Sequence, residues 1–287
     1  MLISLHEALE YAEKNNVGIA AINTPTLEML LATIRVAEKY NIPMILQHAE
    51  VHEPINKIED IGPVMVALAK RSTAPLVVHV DHGESFEYVK RGFDVGFNSA
   101  MIDASRLPYE ENLAVTKKVV ELANEYGYGV EAELGVMPGR EDGSQVGSGE
   151  SNETLYTDPD LAESFVRDSG VTALACSFGT VHGLYKAEPK LNFDLIETLR
   201  ERTGVPIVMH GASGLSGAEY RECINRGVRK INYYTYADKQ SFEAVQTFLE
   251  ENPETFIFSD LTVPASKAVE ENLDVLVNVL YENVIKK

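Results

Sequence analysis

Eight short apolar runs recur along the chain, and amphipathic, charge-dotted stretches lie between them. Runs that are apolar on both faces are typical of strands covered by helices on both sides. Strands that alternate with helices predict a parallel α/β architecture, and eight of them in 287 residues favour a closed (β/α)8 barrel over a doubly wound sheet. The predicted strands span residues 18–23, 43–48, 75–80, 99–103, 129–134, 173–178, 206–209 and 230–233.

Helices are predicted where apolar residues recur at helical spacing and capping signals mark the ends. Asp158-Pro159 and Ser216 are helix-start signals, and glycines stand where helices should stop. A helix over 4–15 would plug the bottom of the barrel, and a long helix over 264–285 would follow the last repeat. With no linker and no shift in composition, we expect residues 1–287 to form a single TIM-barrel domain. The other predicted helices span 26–40, 109–126, 158–169, 194–203 and 216–227.

Charge and cysteine usage narrow the classes of partner and compartment. The net charge of −19 disfavours nucleic acid and anionic membranes, because both would repel the chain. Cys176 and Cys223 lack metal-type spacing and are expected to be buried thiols in a reducing cytosol. The N-terminus shows no signal-like pattern and no run is long enough to span a bilayer, so we expect a cytoplasmic protein.

Three of the seven histidines stand at or just after a predicted strand end and directly before glycine. His82, His182 and His210 follow the third, sixth and seventh strands, and would therefore meet at the carboxyl-terminal mouth of a barrel. Three imidazoles with an open fourth position are typical of catalytic Zn²⁺, although spacing alone leaves a coincidence open. His79 lies one strand position away from the mouth and is expected to be structural.

Two carboxylates are candidates for proton transfer. Asp81 stands beside His82, where a carboxyl group would either ligate a metal or exchange protons with substrate. Its alternative role is a strand-end cap. Glu141 lies in a glycine-rich loop over 135–156, which follows the fifth strand and could carry it over the site, unless it is an ordinary solvated loop residue.

The segment from Gly211 to Ser216 is a candidate phosphate site. It runs from a strand into a helix start, so backbone N–H groups and the Ser213 hydroxyl could cradle an anion. Asn232 and Thr235 end the eighth strand beside it, and loops after strands seven and eight are a recurrent phosphate site in such barrels.

The order of these motifs resembles the class II fructose-bisphosphate and tagatose-bisphosphate aldolase family over nearly the whole chain. The motifs that carry the resemblance are Val80-Asp81-His82-Gly83, Met101-Ile102-Asp103-Ala104-Ser105, Pro108-Tyr109-Glu110-Glu111-Asn112, Val130-Glu131-Ala132-Glu133-Leu134-Gly135, Glu141-Asp142-Gly143, Tyr156-Thr157-Asp158-Pro159, residues 179–183, residues 210–214 and Lys230-Ile231-Asn232.

The resemblance implies a zinc-dependent lyase that reversibly cleaves a ketose 1-phosphate or 1,6-bisphosphate to dihydroxyacetone phosphate and an aldehyde. It implies that Asp81 exchanges a proton with the C4 oxygen and that Glu141 moves the proton at the enediolate carbon. The implied metal ligands are His82, His182 and His210, with Glu133 near the metal. The family also holds a monovalent cation, Na⁺ or K⁺. The implied substrate-binding residues are Asn23, Gly183, Gly211, Ser213, Asn232 and Thr235.

Several positions depart from the family pattern near the substrate. Ala49 stands where a serine usually helps to hold the distal phosphate, and His48 and Glu50 are new polar neighbours. Tyr234 is bulky where a small or acidic residue usually precedes the threonine. His48 and Arg140 are the candidates to replace the missing contact. Residues 137–140 and the Met101 motif, with Ala104 and Arg106, also differ.

Because of these departures, the sequence does not identify a single substrate. Fructose 1,6-bisphosphate, tagatose 1,6-bisphosphate and other ketose phosphates all remain candidates. The main alternative is a metal-dependent aldolase or epimerase of the same family that acts on a non-bisphosphate or differently substituted sugar. A non-catalytic barrel subunit is disfavoured by the complete set of candidate catalytic residues. We expect a sugar-phosphate partner and assembly as a homodimer or homotetramer.

Overall fold

Eight parallel strands close into a barrel in this computed structural model, which describes residues 1–135, 156–183 and 189–285. Each strand pairs with the next in chain order, and the eighth closes the barrel on the first. This confirms the predicted barrel. The strands are β1 (Ile19–Asn23), β2 (Met44–Ala49), β3 (Leu76–Gly83), β4 (Ser99–Ile102), β5 (Gly129–Leu134), β6 (Ala173–Cys176), β7 (Ile207–Met209) and β8 (Val228–Tyr233).

Helices surround the barrel and cover its lower end. Three of them were absent from the sequence prediction: α3, which contains Pro63, α4 and α9. The helices of the described residues are α1 (Leu5–Asn15), α2 (Leu27–Tyr40), α3 (Ile58–Arg71), α4 (Phe86–Asp94), α5 (Tyr109–Tyr126), α6 (Pro159–Ser169), α7 (Phe193–Thr203), α8 (Gly217–Asn225), α9 (Thr235–Glu251), α10 (Thr262–Leu280) and α11 (Glu282–Ile285).

The amino-terminal helix lies against the lower end of the barrel, as predicted. Ser4 caps α1 through a reciprocal pair of hydrogen bonds with Glu7, which fixes where the helix begins. Leu5 is fully buried and contacts the start of β5 at Gly129, where a Cβ atom would lie 3.1 Å from the leucine side chain. Strand carboxyl ends therefore point away from α1, toward the opposite mouth.

The long carboxyl-terminal helix is shorter than predicted. The sequence predicts one helix over 264–285, but α10 ends at Leu280 and the separate short helix α11 follows. Tyr281 breaks the helical backbone, and its ring is fully buried. Its hydroxyl donates to the Pro43 carbonyl and accepts from the Ala20 N–H at 3.0 Å. This anchoring of Tyr281 on the first two strands turns the chain where periodicity alone would continue the helix.

Within the described part of the chain, no helix combines the length and the apolar character needed to cross a membrane.

Candidate metal and catalytic site

A bulge in β3 brings two neighbouring side chains toward one site. The pairing register with β4 shifts between Val80 and Gly83, and His82 has a left-handed backbone with φ of 40°. Successive side chains in a regular strand point to opposite faces, whereas a bulge re-aims one of them. The strand therefore extends through Asp81 and His82, beyond its predicted end at residue 80, and places Asp81 inside the barrel and His82 at its mouth.

The three histidines of the Gly-flanked motifs meet at this mouth. The ring centroids of His82 and His210 are 4.5 Å apart, those of His82 and His182 are 5.0 Å apart, and those of His182 and His210 are 5.7 Å apart. One ring nitrogen from each residue lies within 4.8 Å of the other two, so the set could hold one metal ion. Three imidazole nitrogens are a donor set that suits a catalytic zinc ion.

His82 also belongs to a second set of possible ligands, together with Asp103 and Glu133. Its Nδ1 lies 2.8 Å from Asp103 Oδ2, while Asp103 Oδ1 accepts from the Ser105 hydroxyl at 2.7 Å. Burial, reinforced by the charge of Asp103, holds the pKa of Glu133 well above its usual range. Its Oε2 is buried without a hydrogen-bond partner, as a cation ligand would be in the absence of the cation. Glu133 therefore lies near His82 rather than among the three histidines.

Asp81 is held between two amides inside the barrel. Asn23 Nδ2 donates to Asp81 Oδ2 at 2.8 Å, and Asn232 Nδ2 donates to Asp81 Oδ1 at 3.2 Å. Burial opposes ionisation, but His82, His210, Lys230 and the Asn23 hydrogen bond together hold the pKa of Asp81 below its usual value. The carboxylate is thus ionised at neutral pH and can accept a proton.

The two amides point unused oxygens into the same region. Asn23 Oδ1 and Asn232 Oδ1 are both buried without a hydrogen-bond partner. A buried acceptor of this kind is costly unless a donor reaches it, and the hydroxyl groups of a bound sugar are suitable donors. The predicted substrate-binding residues Asn23 and Asn232 therefore also position Asp81.

A fully buried ionic network, which the sequence reasoning missed, supports His210 from below. Glu131 Oε1 lies 2.7 Å from His210 Nε2, and Lys230 Nζ lies 2.8 Å from Glu131 Oε2. Because a carboxylate oxygen only accepts, Nε2 carries the hydrogen and the lone pair is on Nδ1. In this structure Nδ1 accepts from Asn232 Nδ2 at 2.7 Å, a contact that a bound metal would replace. His79 packs beside Glu131, 3.7 Å away, and bonds Ser99, in keeping with its expected structural role.

The sequence of β5 contained a signal that the Glu131 side chain points into the barrel. In Val130-Glu131-Ala132-Glu133-Leu134 the two glutamates alternate with apolar residues, so both side chains share one face of the strand. In a barrel whose outer face is covered by helices, that shared face is the interior.

Replacement of Glu131 by glutamine is expected to weaken metal binding by roughly 10- to 100-fold, the usual effect of losing a partner that orients a metal ligand. The amide can turn its NH2 toward His210 Nε2 and would no longer select the ring form with the hydrogen on Nε2 and the lone pair on Nδ1. Competition against a chromophoric chelator measures the affinity. Glu125→Gln, at an exposed position of α5, is the matched control. Equal affinity in the two variants would show that the network has no role at the metal.

The candidate phosphate loop follows β7 and faces the start of α9. Ser213 is buried, and its hydroxyl accepts from the Tyr234 N–H at 3.4 Å. The first turn of α8 does not offer the anion site that the sequence suggested, because the Glu219 carboxylate already accepts from the Ser216 N–H at 2.7 Å. By contrast, no side chain caps α9, which begins at Thr235. An anion would thus lie between residues 211–215 and the α9 N-terminus.

Gly211→Ala is expected to be more damaging than Gly204→Ala, although both glycines have positive φ. The left-handed backbone should cost each alanine about 1–2 kcal/mol. At Gly211, with φ of 61°, the new Cβ would also lie 2.4 Å from the Val181 carbonyl oxygen, whereas at Gly204 nothing lies within 4 Å. Such an overlap adds about 1–3 kcal/mol.

Urea denaturation of both variants checks this difference. The overlap also reaches the backbone of His182, whose nitrogen would lie 2.9 Å from the new Cβ, so only Gly211→Ala should weaken metal binding. Equal losses of stability and unchanged metal affinity would contradict this reading.

Two predicted site residues remain to be placed. Gly183 directly follows His182 and has φ of 85°, which lets the chain turn at the mouth. Glu141, the predicted proton donor, lies outside the described residues, as do Arg140 and nearly all of the 135–156 loop.

Comparison with known proteins agrees with the motifs and the fold. The family model described as fructose-bisphosphate aldolase class-II matches residues 3–282. The fructose-bisphosphate aldolase of Staphylococcus aureus strain N315 is 38% identical over 275 residues, covering 95% of this chain and 94% of the relative. The probable fructose-bisphosphate aldolase of Bacillus subtilis strain 168 is 36% identical over 278 residues, covering 95% of each. The crystal structure of the YdjI aldolase from Escherichia coli K12 superposes with a TM-score of 0.85 at 33% identity, covering 98% of this chain and 97% of that one.

Proposed function

The chain belongs to the class II fructose-bisphosphate aldolase family, whose members are carbon–carbon lyases, and on this premise we propose that it is a zinc-dependent aldolase acting on a ketose 1-phosphate or 1,6-bisphosphate. The products are dihydroxyacetone phosphate and an aldehyde, and the reaction is reversible. The observation that carries the proposal is the convergence of three histidine nitrogens within 4.8 Å, directly beside a buried carboxylate.

The proposed chemistry assigns one task to each part of the site. His82, His182 and His210 would hold zinc, which when bound supplies Lewis-acid stabilisation for negative charge on the substrate oxygens. Asp81 removes the proton of the C4 hydroxyl, and the C3–C4 bond then breaks. Asn23 and Asn232 keep the Asp81 carboxylate aimed at that hydroxyl, because each donates to one of its two oxygens.

The remaining assignments follow the family resemblance. Glu141 supplies the proton to the enediolate carbon, and Gly183, Gly211, Ser213 and Thr235 bind the dihydroxyacetone phosphate end. Na⁺ or K⁺ binds near the phosphate, and Glu133 contributes to metal binding next to His82. We further propose a cytoplasmic homodimer or homotetramer.

The test is a panel of ketose 1-phosphates and 1,6-bisphosphates, with release of dihydroxyacetone phosphate followed by a coupled reductase. Zinc content of the purified protein is measured in parallel. We expect about one zinc ion per chain at the three-histidine site and cleavage of at least one substrate in the panel. A zinc-loaded protein that cleaves none of them and does not condense dihydroxyacetone phosphate with any aldehyde would overturn the proposal.

A further inference from the structure

Three buried aromatic rings lie together at the part of the mouth that is above β1. His48 is on β2, His52 is in the short helix that follows β2, and Tyr234 directly follows β8. The ring centroids of His48 and His52 are 6.3 Å apart, and those of His52 and Tyr234 are 4.9 Å apart. Since β1 pairs with both β2 and β8, these rings form a wall from one neighbouring strand to the other. We call this set of three residues the aromatic wall.

The aromatic wall adjoins the residue that acts at C4. Ala49, between His48 and the His52 helix, is paired in register with Asp81 and is fully buried. On the other side, Asn232 bonds Asp81 and stands two residues before Tyr234. In the proposed reaction, the metal and the loop after β7 hold the C1–C3 half of the substrate. The half beyond C4 therefore meets the aromatic wall.

His48 offers no replacement for the hydroxyl group that Ala49 lacks. His48 Nδ1 bonds the Tyr88 hydroxyl and Nε2 bonds the Asn56 carbonyl, both at 2.9 Å. Burial, the largest influence, lowers the pKa of His48 to about 4, so the ring is neutral at physiological pH. With both nitrogens engaged and no surface exposed, His48 does not take the phosphate-binding role that the sequence suggested for it.

Carboxylates border the same sector. Glu50 directly follows β2 and accepts from the N–H of Glu84, which follows β3. Asp238, in the first turn of α9, interacts electrostatically with His52. Arg91 is a cation close enough to act on Glu50, but Glu53 binds its guanidinium at 3.0 Å and Glu59 binds it at 2.5 Å. A phosphate dianion entering this sector would meet the carboxyl groups of Glu50 and Asp238 and the neutral ring of His48, whereas phosphate sites use free cations or backbone donors.

We propose that the aromatic wall and its carboxylate border select a substrate whose aldehyde half carries no phosphate. The substrate class is then a ketose 1-phosphate, cleaved to dihydroxyacetone phosphate and an uncharged hydroxyaldehyde. His52 and Tyr234 are specificity-determining residues that pack against the carbon chain of that aldehyde. This inference rests on the proposed aldolase function and narrows its substrate.

The test uses the condensation direction with the zinc-loaded enzyme. Dihydroxyacetone phosphate is offered with D-glyceraldehyde, L-glyceraldehyde or D-glyceraldehyde 3-phosphate, and kcat/KM is measured for each aldehyde. We expect the better unphosphorylated aldehyde to exceed the phosphorylated one by about 10-fold or more, as a mismatch of one charged group predicts. A ratio of one or less would overturn the inference, as would a failure to condense either kind of aldehyde.

A second arm tests the acidic border itself. Glu50→Gln should shift the ratio of the two kcat/KM values toward the phosphorylated aldehyde by roughly three- to tenfold, the scale of one screened charge. Glu121→Gln, at an exposed position of α5, should not change the ratio. If the ratio is the same in Glu50→Gln as in Glu121→Gln, the carboxylate border does not contribute to the choice of aldehyde, and that part of the inference fails.

Failure of the inference and failure of the proposed function give different results. Exchange of the C3 proton of dihydroxyacetone phosphate with deuterated water needs only the metal and the proximal half of the site. Absence of exchange would overturn the proposed function and the inference with it. Exchange accompanied by a preference for the phosphorylated aldehyde would overturn the inference alone.

Discussion

Removal of divalent metal by a chelator is expected to abolish carbon–carbon cleavage, and one equivalent of zinc is expected to restore it. Cleavage leaves negative charge on the substrate oxygens. Burial holds the pKa of His210 well below its usual value, so its neutral ring cannot offset that charge. The proton on His82 does not substitute for a metal, because Asp81 and Asp103 already hold it and keep the pKa of His82 well above its usual value despite burial. Activity is measured after dialysis and again after titration with zinc, with metal content determined at each stage.

Two histidine variants serve as test and control for the same measurement. His182→Ala removes one of the three ring nitrogens that meet within 4.8 Å and should lose both zinc and activity. His6→Ala alters an exposed histidine on α1, at the opposite end of the barrel, and should keep both. Bound zinc should also raise the melting temperature of the wild type, since it binds the folded state. Full activity in protein shown to be metal-free would contradict the metal-dependent reaction.

The barrel was predictable from the sequence because its causes are local. Each apolar run forms a strand that helices must cover on both faces. Most of the helices also show their start or stop in residues such as Asp158 and Gly170. The meeting of His82, His182 and His210 followed from topology, because parallel strands that end at the same mouth bring together whatever follows them. No knowledge of side-chain contacts was needed for either step.

The parts that the sequence did not predict depend on contacts between distant segments. The bulge at Asp81 and His82 is a mismatch of register between two strands, which neither strand shows alone. The break at Tyr281 is set by hydroxyl contacts with β1 and the residue before β2, more than 230 positions away.

The buried Glu131–Lys230 ion pair at the site also could not be predicted from the sequence, because it joins two strands that are distant along the chain. Either residue by itself would argue against a buried strand position, because an unpaired buried charge is costly. Only the closed barrel brings the two together at 2.8 Å. Similarly, His48 looked available for substrate until Tyr88 and Asn56 were seen to engage both of its nitrogens.

Asp81→Asn is expected to lower kcat for cleavage by about 100-fold or more while the fold and bound zinc are retained. Asparagine keeps the shape of the side chain but cannot take the C4 hydroxyl proton. The pKa of Asp81 lies below its usual value, so the wild-type group is ionised and able to act as a base throughout the neutral range. Asp81→Ala should lose as much activity and more stability, because it leaves the Nδ2 donors of Asn23 and Asn232 without their acceptor.

A comparison of two reactions separates the role of Asp81 at C4 from a general effect on the site. Exchange of the C3 proton of dihydroxyacetone phosphate involves no C4 hydroxyl, so in Asp81→Asn it should fall far less than cleavage does. Asp60→Asn, at an exposed position of α3, should leave both rates unchanged and controls for the loss of one carboxylate. Parallel losses of exchange and cleavage would mean that Asp81 acts on the metal site as a whole. Near-normal cleavage in Asp81→Asn would remove Asp81 from the reaction, because asparagine at this position cannot accept the C4 proton.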